Sequence, residues 1–144
     1  MITTAKALGN GFPCAALLMS AQVAAALTFD SLGTTFGGGP MASAVIEAVI
    51  EAIESQQLLQ RVRRVAAYIR DICVVGPVVA HQGAGFLTGL VMTRPAKDVH
   101  AGLLARGILT GTSADPQILR LLPPYILEEE HVDLLRDALA AIAP

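Results

Sequence analysis

The 144-residue sequence predicts a mixed α/β fold, and three features of it support that prediction. Hydrophobic residues recur at helical spacing over residues 40–55, 58–73 and 128–142. Shorter apolar segments without that spacing lie between these stretches and are typical of β-strands. Glycines and prolines separate the two kinds of segment, as expected where the chain turns.

The N-terminal part predicts a hairpin followed by a short helix. Met1–Leu8 and Pro13–Met19 are short and apolar, and they would form two strands with a loop around Lys6 between them. Ser20 is a suitable N-cap for the helix that follows, which would end near Ala26.

Two longer helices are predicted next. The first runs from Pro40 to about Ser55, because proline suits the first turn of a helix and small apolar residues then repeat on one face. The second spans Leu58–Cys73, with apolar residues at a spacing of three and four. Its arginines are predicted to form a solvated face, in preference to an anion site.

The C-terminal part predicts strands alternating with helices. Val78–Met92 is rich in strand-forming residues, and Pro95–Arg106 is a short helix closed by Gly107. Ile108–Thr110 is predicted as a short strand and Ser113–Pro116 as a turn.

A last strand and a closing helix complete the prediction. Ile118–Ile126 is apolar except for Arg120, and Glu128–Ile142 has helical periodicity. The helix residues expected to be buried are Val132, Leu135, Leu139 and Ile142.

The composition is unusual for a free-standing small domain. Hydrophobic residues make up 53% of the chain and charged residues 15%, against about 25% charged in an average globular protein. No run reaches the roughly 18 apolar residues of a spanning helix, and no signal peptide is visible. We therefore expect a fragment, or an obligate oligomer with large buried interfaces, and no membrane partner.

Charge and cysteine content narrow the class of protein further. The net charge is −2 and no basic patch interleaved with aromatic residues is present, so nucleic acid is not expected as a partner. Cys14 and Cys73 lack metal-ligand spacing and are interpreted as reduced structural thiols of a cytosolic protein. No metal site is expected.

Four polar residues stand out against apolar or glycine-rich surroundings. Lys6, one of two lysines with Lys97, has no acidic neighbour in sequence. An amine in apolar surroundings loses hydration, which favours the neutral form that Schiff-base chemistry requires. Thr34 and Thr35 precede a glycine run and a helix start, which together form a plausible phosphate site. Arg120, expected to be buried, needs either a distant acid or a ligand carboxylate as its partner.

The surroundings of these residues resemble the class III aminotransferases of the acetylornithine and ornithine type, which depend on pyridoxal 5'-phosphate (PLP). The similar blocks read TTAKALGNGFP at residues 3–13, LGTTFGGGP at 32–40 and ILRLLPPYI at 118–126. Three positions depart from the family pattern. Asn10 replaces a glycine, Gly39 replaces an asparagine and Gln82 replaces an arginine.

The resemblance implies a role for each of these residues. Lys6 would bind PLP covalently and move the substrate proton. Thr35, with Thr34 beside it, would bind the cofactor phosphate of the neighbouring subunit, and Arg120 would hold the substrate carboxylate. An internal salt bridge of Arg120 and a chance lysine in a glycine-rich loop are the structural alternatives.

The resemblance also implies the C-terminal part of a fold type I PLP-dependent transferase. Residues 1–57 would be the tail of the large cofactor-binding domain, and residues 58–144 the small α+β domain. The parent reaction would be transamination of an amino acid or ω-amine with a 2-oxoglutarate-type acceptor, in a cytoplasmic homodimer. The N-terminal half of the active site would then be missing from this chain. The alternative is a catalytically inactive remnant that acts as a folding and association module.

Overall fold

The chain divides into two compact units, Met1–Gln56 and Gln57–Pro144, in a computed structural model that describes residues 1–143. Both units mix helices and strands, and every paired strand is antiparallel. No helix among residues 1–143 combines the length and the apolar character needed to cross a bilayer.

The first unit contains the predicted hairpin and helices. Strands β1 (Ile2–Thr4) and β2 (Ala16–Leu18) pair antiparallel, and the 3-10 turn Lys6–Gly9 lies between them. Helix α1 (Ala21–Ala24) is capped as predicted, because the Ser20 hydroxyl accepts a hydrogen bond from the backbone N–H of Val23 at 3.4 Å. Helix α2 (Pro40–Ser55) confirms the predicted bounds.

Burial in the first unit is slight. Among its described residues, 1–56, only Gly9 is buried, and no apolar side chain is buried. Phe29 and Phe36 are 95% and 90% exposed. The first unit therefore has secondary structure without a hydrophobic core of its own.

The second unit is a four-stranded antiparallel sheet with three helices. The strand order is β3-β4-β6-β5. The elements in chain order are α3 (Leu58–Ile72), β3 (Val78–Ala84), β4 (Leu87–Met92), α4 (Ala96–Leu104), β5 (Gly111–Thr112), β6 (Ile118–Leu121) and α5 (Glu129–Ala140).

One face of this sheet and the three helices share a single core. Leu90 and Leu119 lie opposite each other on β4 and β6, and both are fully buried. Val65, Leu103 and Leu139 contribute from α3, α4 and α5 to the same cluster. Complete burial of a leucine side chain stabilises a fold by about 1.5–3 kcal/mol. Of the four predicted buried residues in the closing helix, three are buried and Ile142 is half-buried.

Polar contacts join α3 to α5 at the surface. Arg61 pairs with Glu128 at 3.0 Å, and Arg64 pairs with Glu129 at 3.1 Å. The Tyr68 hydroxyl donates to Asp133 Oδ1 at 2.8 Å, and this hydrogen bond raises the pKa of Tyr68. The arginine face is thus partly engaged in ion pairs within the unit.

One predicted strand is wrong. Ile108–Thr110 is not a strand; the edge strand is Gly111–Thr112. The reason is that Ile108 takes part in the C-cap that follows α4. Its N–H donates to the Leu103 carbonyl, and Gly107 has a φ of 80°. That arrangement is the glycine-terminated C-cap of a helix.

Two further strands are shorter than predicted. β6 ends at Leu121 instead of Ile126, because Pro123 and Pro124 cannot donate hydrogen bonds to a neighbouring strand. β1 ends at Thr4, where the chain enters the 3-10 turn. The turn over residues 113–116 is confirmed, with the Asp115 carboxylate accepting from the Gln117 N–H at 2.9 Å.

Candidate functional site

Lys6 begins the 3-10 turn with a φ of 56°, in the left-handed region. A residue other than glycine is uncommon there, and such strain, of order 1–3 kcal/mol, clusters at functional sites. The side chain is exposed and makes no hydrogen bond or ion pair with any described residue. The predicted apolar surroundings of Lys6 are therefore wrong for this chain, because the first unit has no core to bury the amine.

The backbone around Lys6 explains one departure from the family pattern. Asn10 has a φ of 46° and its N–H donates to the Ala7 carbonyl at 3.1 Å. Asparagine tolerates this left-handed conformation better than other non-glycine residues, so it can stand where the family has glycine. Gly9, by contrast, has no room for a side chain, since a Cβ there would collide with Cys14 Sγ.

Thr34 and Thr35 lie in the exposed segment just before α2. Neither hydroxyl forms a hydrogen bond with the rest of residues 1–143. Gly37 leaves room for the Thr34 methyl group, which a Cβ at that position would meet. Gly39 is the N-cap of α2 and provides no side-chain cap, as expected from the loss of the family's asparagine.

The lysine turn and the threonine segment belong to the same unit. The turn Lys6–Gly9 packs against α2, whose N-terminus follows the two threonines. Backbone N–H groups at a helix start, hydroxyls beside them and a free amine form a donor set that fits a phosphate-bearing aldehyde such as PLP.

Arg120 lies on β6 in the second unit, with its side chain exposed. The expectation that it is buried is wrong, because Leu119 and Leu121 take the core face of the sheet and strand alternation places Arg120 on the other face. No carboxylate of the described residues pairs with it, so its donors are available to a ligand.

Arg120 is among the residues that line an apolar groove of about 560 Å³. The groove lies between the edge strand, the segment after β6 and α5, and its walls include Leu122, Pro123 and Leu134. A guanidinium that no protein carboxylate of the described residues engages suits a molecule that carries a carboxylate.

Two further features of the chain are not evident from its sequence. Gly89 and Gly111 flank Arg120 on its two neighbouring strands, which becomes visible only with the strand register. Cys73 is completely enclosed in the core of the second unit, and burial raises the pKa of its thiol to about 11. Both cysteines are free, and no group of three metal-ligating side chains forms within residues 1–143.

Comparison with known proteins supports the resemblance of the three blocks. A family model described as "Aminotransferase class-III" matches residues 1–143. The acetylornithine aminotransferase of Methanocaldococcus jannaschii is 33% identical over 96% of the chain and 36% of its own length. That of Mycobacterium tuberculosis is 37% identical over 99% of the chain and 36% of its length.

Solved structures give the same result for the fold. The ornithine aminotransferase of Toxoplasma gondii superposes with a TM-score of 0.84 at 25% identity, covering 96% of this chain and 35% of that one. The acetylornithine aminotransferase of Elizabethkingia anophelis gives 0.84 at 23% identity, covering 96% and 37%. The chain thus spans little more than a third of the length of its relatives and has the fold of a part of a fold type I PLP-dependent transferase. It belongs to the class III aminotransferase family.

Proposed function

We propose that this chain contributes a cofactor-binding lysine, a phosphate site and a carboxylate-binding arginine to PLP-dependent transamination. Lys6, Thr34 and Thr35 are the residues proposed to bind the cofactor, and Arg120 is the residue proposed to bind the substrate carboxylate. The observation that supports the proposal most directly is the exposed and unpaired Lys6 amine on a strained turn, inside the block that resembles the family's lysine segment.

Each residue has a distinct task in this proposal. Bound PLP supplies an aromatic ring that accepts negative charge from the substrate α-carbon. Lys6 Nζ would hold the cofactor at its aldehyde carbon and would move a proton at the substrate α-carbon. Arg120 orients the substrate by a paired hydrogen bond to its carboxylate.

The threonines define the proposed partner of the chain. Thr35, with Thr34 beside it, would donate hydroxyl hydrogen bonds to the cofactor phosphate of a second copy in a homodimer. The exposure of both threonines and the absence of internal partners among the described residues are compatible with that role. We also propose a cytoplasmic location, which suits the free state of both cysteines.

The proposed substrates follow the relatives' names. We propose an acetylornithine- or ornithine-like amino donor with a 2-oxoglutarate-type acceptor, since the relatives are acetylornithine and ornithine aminotransferases. The second candidate function is a catalytically inactive remnant that folds and associates. The large exposed aromatic residues of a unit without a core, Phe29 and Phe36, favour that alternative.

Covalent labelling tests the role of Lys6. The chain is incubated with PLP, reduced with borohydride and mapped by peptide mass spectrometry. Both lysines are exposed, so exposure alone predicts equal labelling of Lys6 and Lys97. The proposal predicts preferential label on Lys6, retained in Lys97→Arg and lost in Lys6→Arg. Label on Lys97 alone would contradict it.

A half-reaction separates the two candidate functions. N-acetylornithine is added to the PLP-loaded chain, and the cofactor absorbance is followed with Lys6→Ala as the control. A change that requires Lys6 supports transamination. Specific label on Lys6 without any such change supports the inactive remnant.

A further inference from the structure

Arg120 occupies a row across the sheet in which both of its neighbours are glycine. Gly89 on β4 lies opposite Arg120 on one side, and Gly111 on β5 lies opposite it on the other. The Cβ atoms of directly opposite residues are normally about 4.5–5.5 Å apart. The two glycines therefore leave a strip of bare backbone on each side of the arginine.

The two strips are occupied differently. A Cβ placed on Gly89 would lie 2.7 Å from Ile118 Cγ2 and 3.3 Å from Gln82 Cγ, so this strip is already filled by neighbouring side chains. A Cβ placed on Gly111 would lie 3.4 Å from Arg120 Nε and 3.6 Å from Nη2. The guanidinium thus lies across the backbone of Gly111, on the face of the sheet that points away from the core.

We propose that Gly111 is a positioning residue for Arg120. Because Gly111 lacks a side chain, the guanidinium can lie across the edge strand and hold its donors in the orientation in which a substrate carboxylate binds. This inference rests on the proposed function of Arg120 as the carboxylate-binding residue and adds the feature that sets the pose of that side chain.

The backbone conformation of Gly111 does not itself require a glycine. Its φ is outside the left-handed region, so any L-residue can adopt it. An alanine methyl would meet Arg120 atoms at ordinary contact distances of 3.4–3.6 Å. The branched methyl groups of valine would extend into the space of the guanidinium. Valine also favours strands, so the edge strand should persist.

The test is a titration of the full chain with glutarate, a simple dicarboxylate probe. The Nε–Hε signal of Arg120 is followed by NMR and is assigned by its loss in Arg120→Lys. A nuclear Overhauser contact between the Arg120 side chain and the Gly111 Hα reports the pose without ligand. Thr112→Val is the matched control, since it adds an apolar branched residue to the same strand opposite Leu119 instead of Arg120.

The inference predicts a graded result. Glutarate affinity is unchanged in Gly111→Ala and in Thr112→Val. In Gly111→Val it falls by at least about tenfold, because a displaced guanidinium loses its charge-assisted pair with the carboxylate. Circular dichroism verifies that each variant is folded. If Gly111→Val unfolds, Gly111→Thr takes its place, because threonine has the same branched shape with one polar atom. We expect glutarate affinity to fall by the same factor in that variant.

The outcomes distinguish this inference from the proposed function. Unchanged affinity in the folded valine or threonine variant would overturn the inference and leave carboxylate binding by Arg120 standing. An equal loss in Gly111→Ala would overturn it as well, because the glycine would then serve the backbone. A lack of any glutarate response at Arg120 in the unaltered chain would contradict the proposed role of Arg120, and the inference with it.

Discussion

The two units of this chain differ in what their residues do. Residues 57–143 contain all the buried apolar side chains of the described chain, gathered into one cluster between a sheet and three helices. Residues 1–56 contain the lysine turn and the threonine segment, and only Gly9 is buried there. The comparison shows that a segment can hold the residues proposed for chemistry without holding the contacts that stabilise a fold.

The physical reason lies in the elements of the first unit. A two-stranded hairpin is marginally stable alone in water, and a 16-residue helix needs a packed apolar face to persist. Strands β1 and β2 have three residues each, and α2 exposes Met41 and Ile50. The second unit has the apolar packing that the first unit lacks, because its sheet and its three helices bury side chains against one another.

The two cysteines give the largest expected difference between the units. Cys73 is 0% exposed in the second unit, whereas Cys14 is partly exposed in the first. A thiol-specific reagent at pH 8 should modify Cys14 readily and Cys73 only when the second unit opens. We expect a rate ratio on the order of a thousand or more, because opening of a stable core is rare. The Cys14→Ser and Cys73→Ser variants assign the two phases, and equal rates would contradict the comparison.

The Cys73 thiol also predicts a pH dependence of stability. Burial raises its pKa from 9.0 to about 11, so the folded state holds the proton more tightly than the unfolded state does. The stabilisation is fully present below pH 9 and is lost as the pH rises from about 9 to about 11. Urea unfolding across this range should show the loss in the unaltered chain and a smaller one in Cys73→Ala.

A matched pair of leucine substitutions gives the next largest effect. Leu119→Ala, at a fully buried position on β6, should lower the free energy of unfolding by about 2–5 kcal/mol. Leu18→Ala, at a position on β2 that is 55% exposed, should change the free energy of unfolding by no more than about 0.5 kcal/mol. Urea denaturation of both variants measures the difference. A large effect of Leu18→Ala would show that the first unit contributes to the stable core.

Much of the fold was predictable because helical periodicity is a strong local signal. The bounds of α2 were predicted from Pro40 and the repeat that follows it, and α3 was predicted to within one residue. The edge strand was misplaced because the residues after Gly107 are apolar and resemble a strand, although they complete the cap of α4. Local composition did not distinguish those two structures.

The family was predictable from the sequence, whereas the environment of the candidate site residues was less so. The blocks around Lys6, Thr35 and Arg120 supported the family resemblance, which the comparisons confirmed. The burial predicted for Arg120 and the apolar surroundings predicted for Lys6 were wrong, because both were inferred from apolar neighbours in sequence. On a strand those neighbours alternate between faces, and at the Lys6 turn no core exists to enclose the side chain. The relation of Gly111 to Arg120 depends on strand register, which the sequence did not reveal.

Hydrogen exchange of the full chain tests most directly that only residues 57–143 form a fold with its own core. Backbone exchange is followed by mass spectrometry at low protein concentration, with the stability of the chain measured separately by urea. We predict that amides of α3, β4 and α5 exchange only through global unfolding, whereas those of β1, β2 and α2 exchange with little protection. Protection of α2 equal to that of α3 would contradict the account, because the first unit would then share in a stable core.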